Sequence, residues 1–103
     1  AQVEGGVLFG LSAALAEQIT LESGQVVQQN FHDYPLLRFS EAPAVDVEFI
    51  ASTAPPGGLG EPGTPPIAAA LVNAVFAATG VRIRALPLAA AAAVLSAQPP
   101  AAV

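Results

Sequence analysis

Between Ser52 and Pro66 the chain can be neither helix nor regular strand, and this stretch divides everything else. It holds Pro55, Pro56, Pro62, Pro65 and Pro66 together with Gly57, Gly58, Gly60 and Gly63. Proline fixes φ and removes a backbone donor, while glycine admits conformations other residues avoid. The one carboxylate inside the run is Glu61. Glycines let backbone approach a ligand closely, and prolines stiffen a loop so that a side chain can be held still by few contacts. Fixed placement is the first requirement of a general base. By composition alone, however, a Gly/Pro-rich loop with one Glu also reads as a loop with a solvated Glu. No Lys or Ser/Thr follows in the Walker arrangement, and no Gly-x-Ser-x-Gly occurs, so the run is neither a phosphate cradle nor a nucleophile elbow.

The flanks carry the regular structure. Val3, Val7, Leu8, Leu11 and Leu15 recur at helical spacing and predict a helix over 2–17. Gly6 and Gly10 share one face of it, as expected for close helix–sheet packing or for close approach to a bound cofactor. Ile19 and Leu21, then Ser23-Gly24, then Gln25 to Gln29 form a hairpin signal. Val45, Val47 and Phe49 alternate with Asp46 and Glu48, which predicts a strand with one buried and one wet face. After the Pro/Gly run, Thr64 offers an N-cap, Pro65 suits the first helical position, and Gly80 suits the residue that ends the helix. This second helix is apolar on every side except at Asn73, so it is expected to be buried all round. Val81 to Leu86 reads as a short extended segment, placing Arg82 and Arg84 on one face to pair with acids or to be solvated. The Ala-rich tail is expected to fray. The fold class is α+β: two helices packed on a small, mostly antiparallel sheet.

Charge narrows the partners. Only 11% of the 103 residues are charged and 53% are hydrophobic, against about 25% charged in ordinary soluble domains. A small domain has much surface to solvate, so this composition predicts a surface covered by other protein. Arg38, Arg82 and Arg84 are the only basic residues and the net charge is −5, which excludes a phosphate-backbone footprint and hence a nucleic-acid partner. Without Cys there is no disulfide, thiolate metal site or iron–sulfur ligand in the segment. The longest apolar stretch, Leu86 to Ala97, contains Pro87 and is shorter than the roughly 20 residues of a membrane span. The absence of Met predicts a processed piece or excised segment of a longer chain. His32-Asp33 invites a dyad reading. Adjacent residues on an extended segment point to opposite sides, however, and one His without ligand-like neighbours is expected to be structural.

Three motifs share one resemblance. Gly57-Gly58-Leu59-Gly60-Glu61-Pro62-Gly63-Thr64-Pro65-Pro66-Ile67, with Ala70 to Gly80 behind it, resembles the C-terminal signature of the molybdenum hydroxylases, the xanthine oxidase/aldehyde oxidase family. Asn30-Phe31-His32-Asp33-Tyr34-Pro35-Leu36-Leu37-Arg38 and Gln2-Val3-Glu4-Gly5-Gly6 resemble it too, and the likeness extends from Ala1 to about Leu88. The branch it looks most like is the isoquinoline oxidoreductase β-subunit type, which includes bacterial aldehyde dehydrogenases. Ala69 departs from the pattern, where Pro is expected, but lies away from the motif.

The resemblance implies that residues 1–88 are the C-terminal segment of a molybdopterin-binding domain, followed by a disordered tail over 89–103. It implies that Glu61 is the general base in a hydroxylation using oxygen from water, and is not a metal ligand. Gln2 falls where the family places a carboxamide against the pterin, and Gly60 belongs to the same cofactor-binding set; the segment itself supplies no metal ligand. The implied cofactor is molybdopterin cytosine dinucleotide with molybdenum, bound mainly by the rest of the subunit. The implied partners are that remainder, an iron–sulfur subunit or a cytochrome, and a small aldehyde or N-heteroaromatic substrate. Relatives in this branch are often exported to the bacterial periplasm, which is therefore expected ahead of the cytoplasm although the segment itself leaves the compartment open, and the isolated segment is expected to be inactive. Two other readings stand beside this one: a non-catalytic interaction or structural module, and a separate accessory subunit completing the site of a larger molybdenum chain.

Overall fold

Helix α1 spans Gln2–Leu15 in the computed structural model, which describes residues 1–92 and 96. It stops two residues short of the expected end, where the Ala16 N–H still donates to the Ser12 carbonyl. Its buried positions are Gly10, Ser12 and Ala14, so the small residues of the helix turn inward.

The hairpin forms as its turn chemistry demands. Strands β1 (Leu21–Glu22) and β2 (Gln25–Val26) pair antiparallel, with Leu21 opposite Val26 and Glu22 opposite Gln25. Ser23 and Gly24 both have positive φ, 50° and 79°, the geometry of a two-residue type I′ turn. Thr20 and Gln28 lengthen the pairing through their side chains, with the Thr20 N–H donating to Gln28 Oε1 at 2.8 Å and Gln28 Nε2 donating to Thr20 Oγ1 at 2.9 Å. The strand residues are exposed, and the helices pack on each other rather than across this sheet.

The segment between hairpin and Pro/Gly run is tied to α1 by polar contacts. The buried Ser12 Oγ accepts the Leu37 N–H at 3.0 Å, and the Tyr34 hydroxyl donates to Glu17 Oε2 at 2.9 Å. That hydrogen bond to the carboxylate holds the Tyr34 phenol above its ordinary pKa. A single 3-10 turn, Phe39–Glu41, follows. The strand expected at 45–49 does not form. Val45 and Val47 are half-buried and Asp46 and Glu48 exposed, but Phe49, expected on the buried face, is exposed too, and no described strand pairs with the segment. An extended segment becomes a strand only when a neighbour satisfies its ladder.

Helix α2 spans Ile67–Thr79, with Pro66 rather than Thr64 at its N-cap. The Thr64 hydroxyl donates instead to the Gly6 carbonyl, 58 residues away in sequence, at 3.0 Å. The other end is as expected: Gly80 has φ 72° and its N–H donates to the Phe76 carbonyl. The helix was expected to be buried all round, and no residue of it is buried. Val72 and Val75 only partly pack against the small core of Val81, Ile83 and Ala91, joined by Leu88. Val81 and Ile83 alternate with exposed Arg82 and Arg84 along an unpaired extended segment. A 3-10 turn at Leu88–Ala91 brings Ala91 into the core; the rest of the expected tail, 93–95 and 97–103, lies outside the described residues.

The chain does not close on itself. Its accessible surface is 7971 Å², against about 5,400 Å² expected for a folded monomer of its mass. Its radius of gyration is 16.9 Å, against about 13 Å for a compact chain of this length. Phe9, Phe39, Phe49 and Ile50 stand open to solvent, Phe39 at 99%. Exposed apolar area on this scale marks surface made to be covered, which explains why α2 finds too little chain to bury it.

Candidate active-site loop

Glu61 sits at the head of a tight turn. Pro62 and Gly63 occupy its centre, and the Thr64 N–H closes it on the Glu61 carbonyl at 2.8 Å. Proline presets φ for the first central position of such a turn. Gly63 does not have positive φ; it is needed for space. A Cβ there would stand 3.2 Å from both the Val3 carbonyl oxygen and the Val7 nitrogen.

The turn docks on the glycine face of α1. A Cβ on Gly10 would stand 2.6 Å from the Thr64 carbonyl oxygen and 3.3 Å from Ile67 Cβ. A Cβ on Gly6 would meet the Gly60 carbonyl oxygen at 3.4 Å and Thr64 Oγ1 at 3.6 Å. The element packed on this face is the Glu61 turn and not the expected sheet, and Gly6 also lines an open recess beside it.

This docking brings the three sequence-derived site residues together. Gln2, Gly60 and Glu61 line one open recess of about 430 Å³ with Gly5, Gly6, Phe9 and Thr64. Gln2 Nε2 lies 3.6 Å from where a Gly60 Cβ would be, and nothing lies within 4 Å of a Cβ built on Gly5. Glu61 also borders a second open recess of about 460 Å³, walled by Gly58, Gly60, Pro62 and Pro65. Neither recess is lined by Arg38, Arg82 or Arg84. The first recess combines bare backbone at Gly5, Gly6 and Gly60 with one carboxamide, Gln2, and one carboxylate residue, Glu61. Such a surface can admit a flat neutral ring edge and can accept a proton beside it. Sequence reasoning missed Phe9 and Thr64. The spacing of Gly6 and Gly10 signalled a close neighbour without saying which.

The remaining polar candidates make local contacts or stand exposed. Asp33 turns back to accept the Gln29 and Asn30 N–H groups at 2.9 and 2.8 Å, and these two bonds hold its carboxyl below the ordinary value of 3.8. His32 is exposed. Arg82 lies over the Phe76 ring at 3.6 Å and donates to Asn73 Oδ1 at 3.0 Å. Among the described residues no group of three or more His, Cys, Asp or Glu could hold a metal ion, and no helix is long and apolar enough to cross a membrane.

Residues 1–43 match the family model of the molybdopterin cofactor-binding domain. Over 88 residues, 85% of this chain, the sequence is 40% identical to isoquinoline 1-oxidoreductase subunit beta of Brevundimonas diminuta, 11% of which is covered. Over 94 residues, 84% of this chain, it is 38% identical to the xanthine dehydrogenase molybdenum-binding subunit of Escherichia coli O157:H7, 12% of which is covered. The chain belongs to the molybdenum hydroxylase family. It is also 46% identical over 88 residues, 85% of its length, to a protein of Gluconacetobacter polyoxogenes named membrane-bound aldehyde dehydrogenase [pyrroloquinoline-quinone], 11% of which is covered. That name specifies a different cofactor. The chain spans about a tenth of the length of these relatives.

Proposed function

We propose that this segment carries the general base of a molybdenum-dependent oxidoreductase that hydroxylates an aldehyde or an N-heteroaromatic ring, and that Glu61 is that base. The observation supporting this most directly is the convergence of Gln2, Gly60 and Glu61 on one recess. Residues at opposite ends of a 58-residue span meet there, at a turn held by backbone rather than by long side chains.

The residues present fit part of the molybdopterin group. The Gln2 carboxamide can donate to and accept from a heterocycle edge, and the bare backbone at Gly5 and Gly60 leaves room for a ring. The rest of the group, including the cytosine dinucleotide portion with its phosphates, is held by the remainder of the subunit. When bound, the cofactor supplies an acceptor for two electrons, which leave through an iron–sulfur subunit or a cytochrome. Glu61 takes the proton released as water-derived oxygen is delivered to the substrate, and its carboxylate orients that substrate. The Pro62-Gly63 turn fixes the backbone from which the exposed Glu61 side chain projects, which limits the space the carboxylate must search at each turnover. By this reading the enzyme works in the bacterial periplasm, and the segment alone has no activity.

Glu61→Gln in the intact enzyme tests this. The amide keeps the shape and loses the proton acceptor, so kcat falls about 10²–10⁴-fold while molybdenum content stays at the parent level. Turnover near the parent rate removes Glu61 as the base. Metal analysis of the same preparation decides the cofactor: absence of molybdenum with bound pyrroloquinoline quinone would overturn the assignment.

A further inference from the structure

We infer that Thr64 is a positioning residue that fixes the distance between Glu61 and the Gln2 end of α1; this rests on the reading of Glu61 as the base. Three separate atoms of this one residue carry the link. Its N–H closes the turn on the Glu61 carbonyl at 2.8 Å. Its hydroxyl donates to the Gly6 carbonyl at 3.0 Å. Its own carbonyl rests against Gly10, where a Cβ would stand only 2.6 Å away.

The geometry makes the hydroxyl bond a lever rather than one contact among many. Gly6 lies about one helical turn beyond Gln2, so the two move as one rigid unit. Glu61 lies three residues before Thr64 in a proline-stiffened turn closed by its own hydrogen bond. The Thr64–Gly6 bond therefore connects two stiff bodies, each carrying one side of the recess. A helical carbonyl has a second lone pair, so Gly6 accepts this bond without giving up its place in α1. The bond commits the proton of the Thr64 hydroxyl to Gly6, while α2 begins with Pro66, not Thr64, at its N-cap. Packing at Gly10 and Gly63 sets how near the turn comes to α1, and the directional bond adds a fixed donor–acceptor distance along the glycine face.

Thr64→Val in the intact enzyme removes the hydroxyl and keeps the branched shape. Because a displacement near 1 Å can cost about 100-fold, kcat is expected to fall roughly 10- to 100-fold. KM stays within about twofold, and the apparent melting temperature and molybdenum content stay near the parent's. Thr64→Ser, which restores the hydroxyl without the methyl, brings kcat back to within about threefold of the parent, an outcome a purely packing role would not give. If Thr64→Val fails to fold, Thr64→Ala removes the hydroxyl without adding apolar bulk and is read the same way. Parent-like kcat in the hydroxyl-free variant, or equal loss in Thr64→Ser, overturns the inference. Glu61→Gln is measured in the same series. If that variant turns over normally, the functional reading itself fails; if it is slow while Thr64→Val is not, only the role of Thr64 fails.

Discussion

Gly10→Ala sets two effects of opposite sign against each other at a single site. Gly10 lies in the interior of α1, where Ala stabilises a helix by about 1 kcal/mol relative to Gly. The added Cβ would stand 2.6 Å from the Thr64 carbonyl oxygen, 3.2 Å from Thr64 Cα and 3.3 Å from Ile67 Cβ. The two closest of these atoms are backbone, so no flexible side chain can swing away. Relief requires the 2.6 Å contact to open to about 3.4 Å, ordinary van der Waals separation, and the whole turn must move with it. Overpacking of this kind costs about 1–3 kcal/mol, so the clash outweighs the propensity gain and the substitution destabilises. The displaced turn takes Glu61 with it, and turnover is expected to fall roughly 10- to 100-fold. Scanning calorimetry and steady-state kinetics on the intact enzyme measure both effects. An unchanged or raised melting temperature with parent-like kcat would show that the turn does not dock on Gly10.

Two further outcomes follow from polar contacts outside the recess. Ser12→Ala leaves the Leu37 N–H without its 3.0 Å acceptor and is expected to cost about 1–3 kcal/mol, read from the denaturation midpoint against the parent protein. Asp33 has its folded pKa depressed by the Gln29 and Asn30 N–H groups. Its contribution is therefore complete above its ordinary value of 3.8 and is lost as pH falls through the lower folded value. Hydrogen exchange at the Gln29 and Asn30 amides, corrected for its intrinsic pH dependence, should lose protection over that range in the parent. In Asp33→Ala it should show little protection at any pH; equal protection in both proteins would rule out these two hydrogen bonds.

Much of the candidate site's local structure was legible in the sequence. Glu61 is marked by the Pro/Gly run around it, and the hairpin by Ser23-Gly24, whose positive φ values follow from short-range steric preference. The motif resemblance placed Gln2 and Gly60 with Glu61, and they line one recess. The strand expected at 45–49 shows the limit of such reasoning. Its alternation persists in the burial pattern from Val45 to Glu48 and fails at Phe49, which is exposed. Alternation records only which side chains face inward, however, and pairing needs a second strand. The burial expected for α2 failed in the same way: an apolar helix specifies that it must be covered, not what covers it.

The sequence by itself determined where α1 could run, that the chain must turn at Ser23-Gly24, that α2 must stop at Gly80, and that residues 52–66 could join neither helix nor sheet. These are outcomes of backbone sterics and side-chain period, which act over a few residues. Tertiary structure alone decided that the glycines of α1 would receive the Glu61 turn, and that the Thr64 hydroxyl would bond Gly6 instead of capping α2. The physical reason is that a threonine hydroxyl can accept a helix N–H or donate to a carbonyl, and its local sequence does not choose between the two. Only the packing of segments 58 residues apart brings the Gly6 carbonyl to hydrogen-bonding distance.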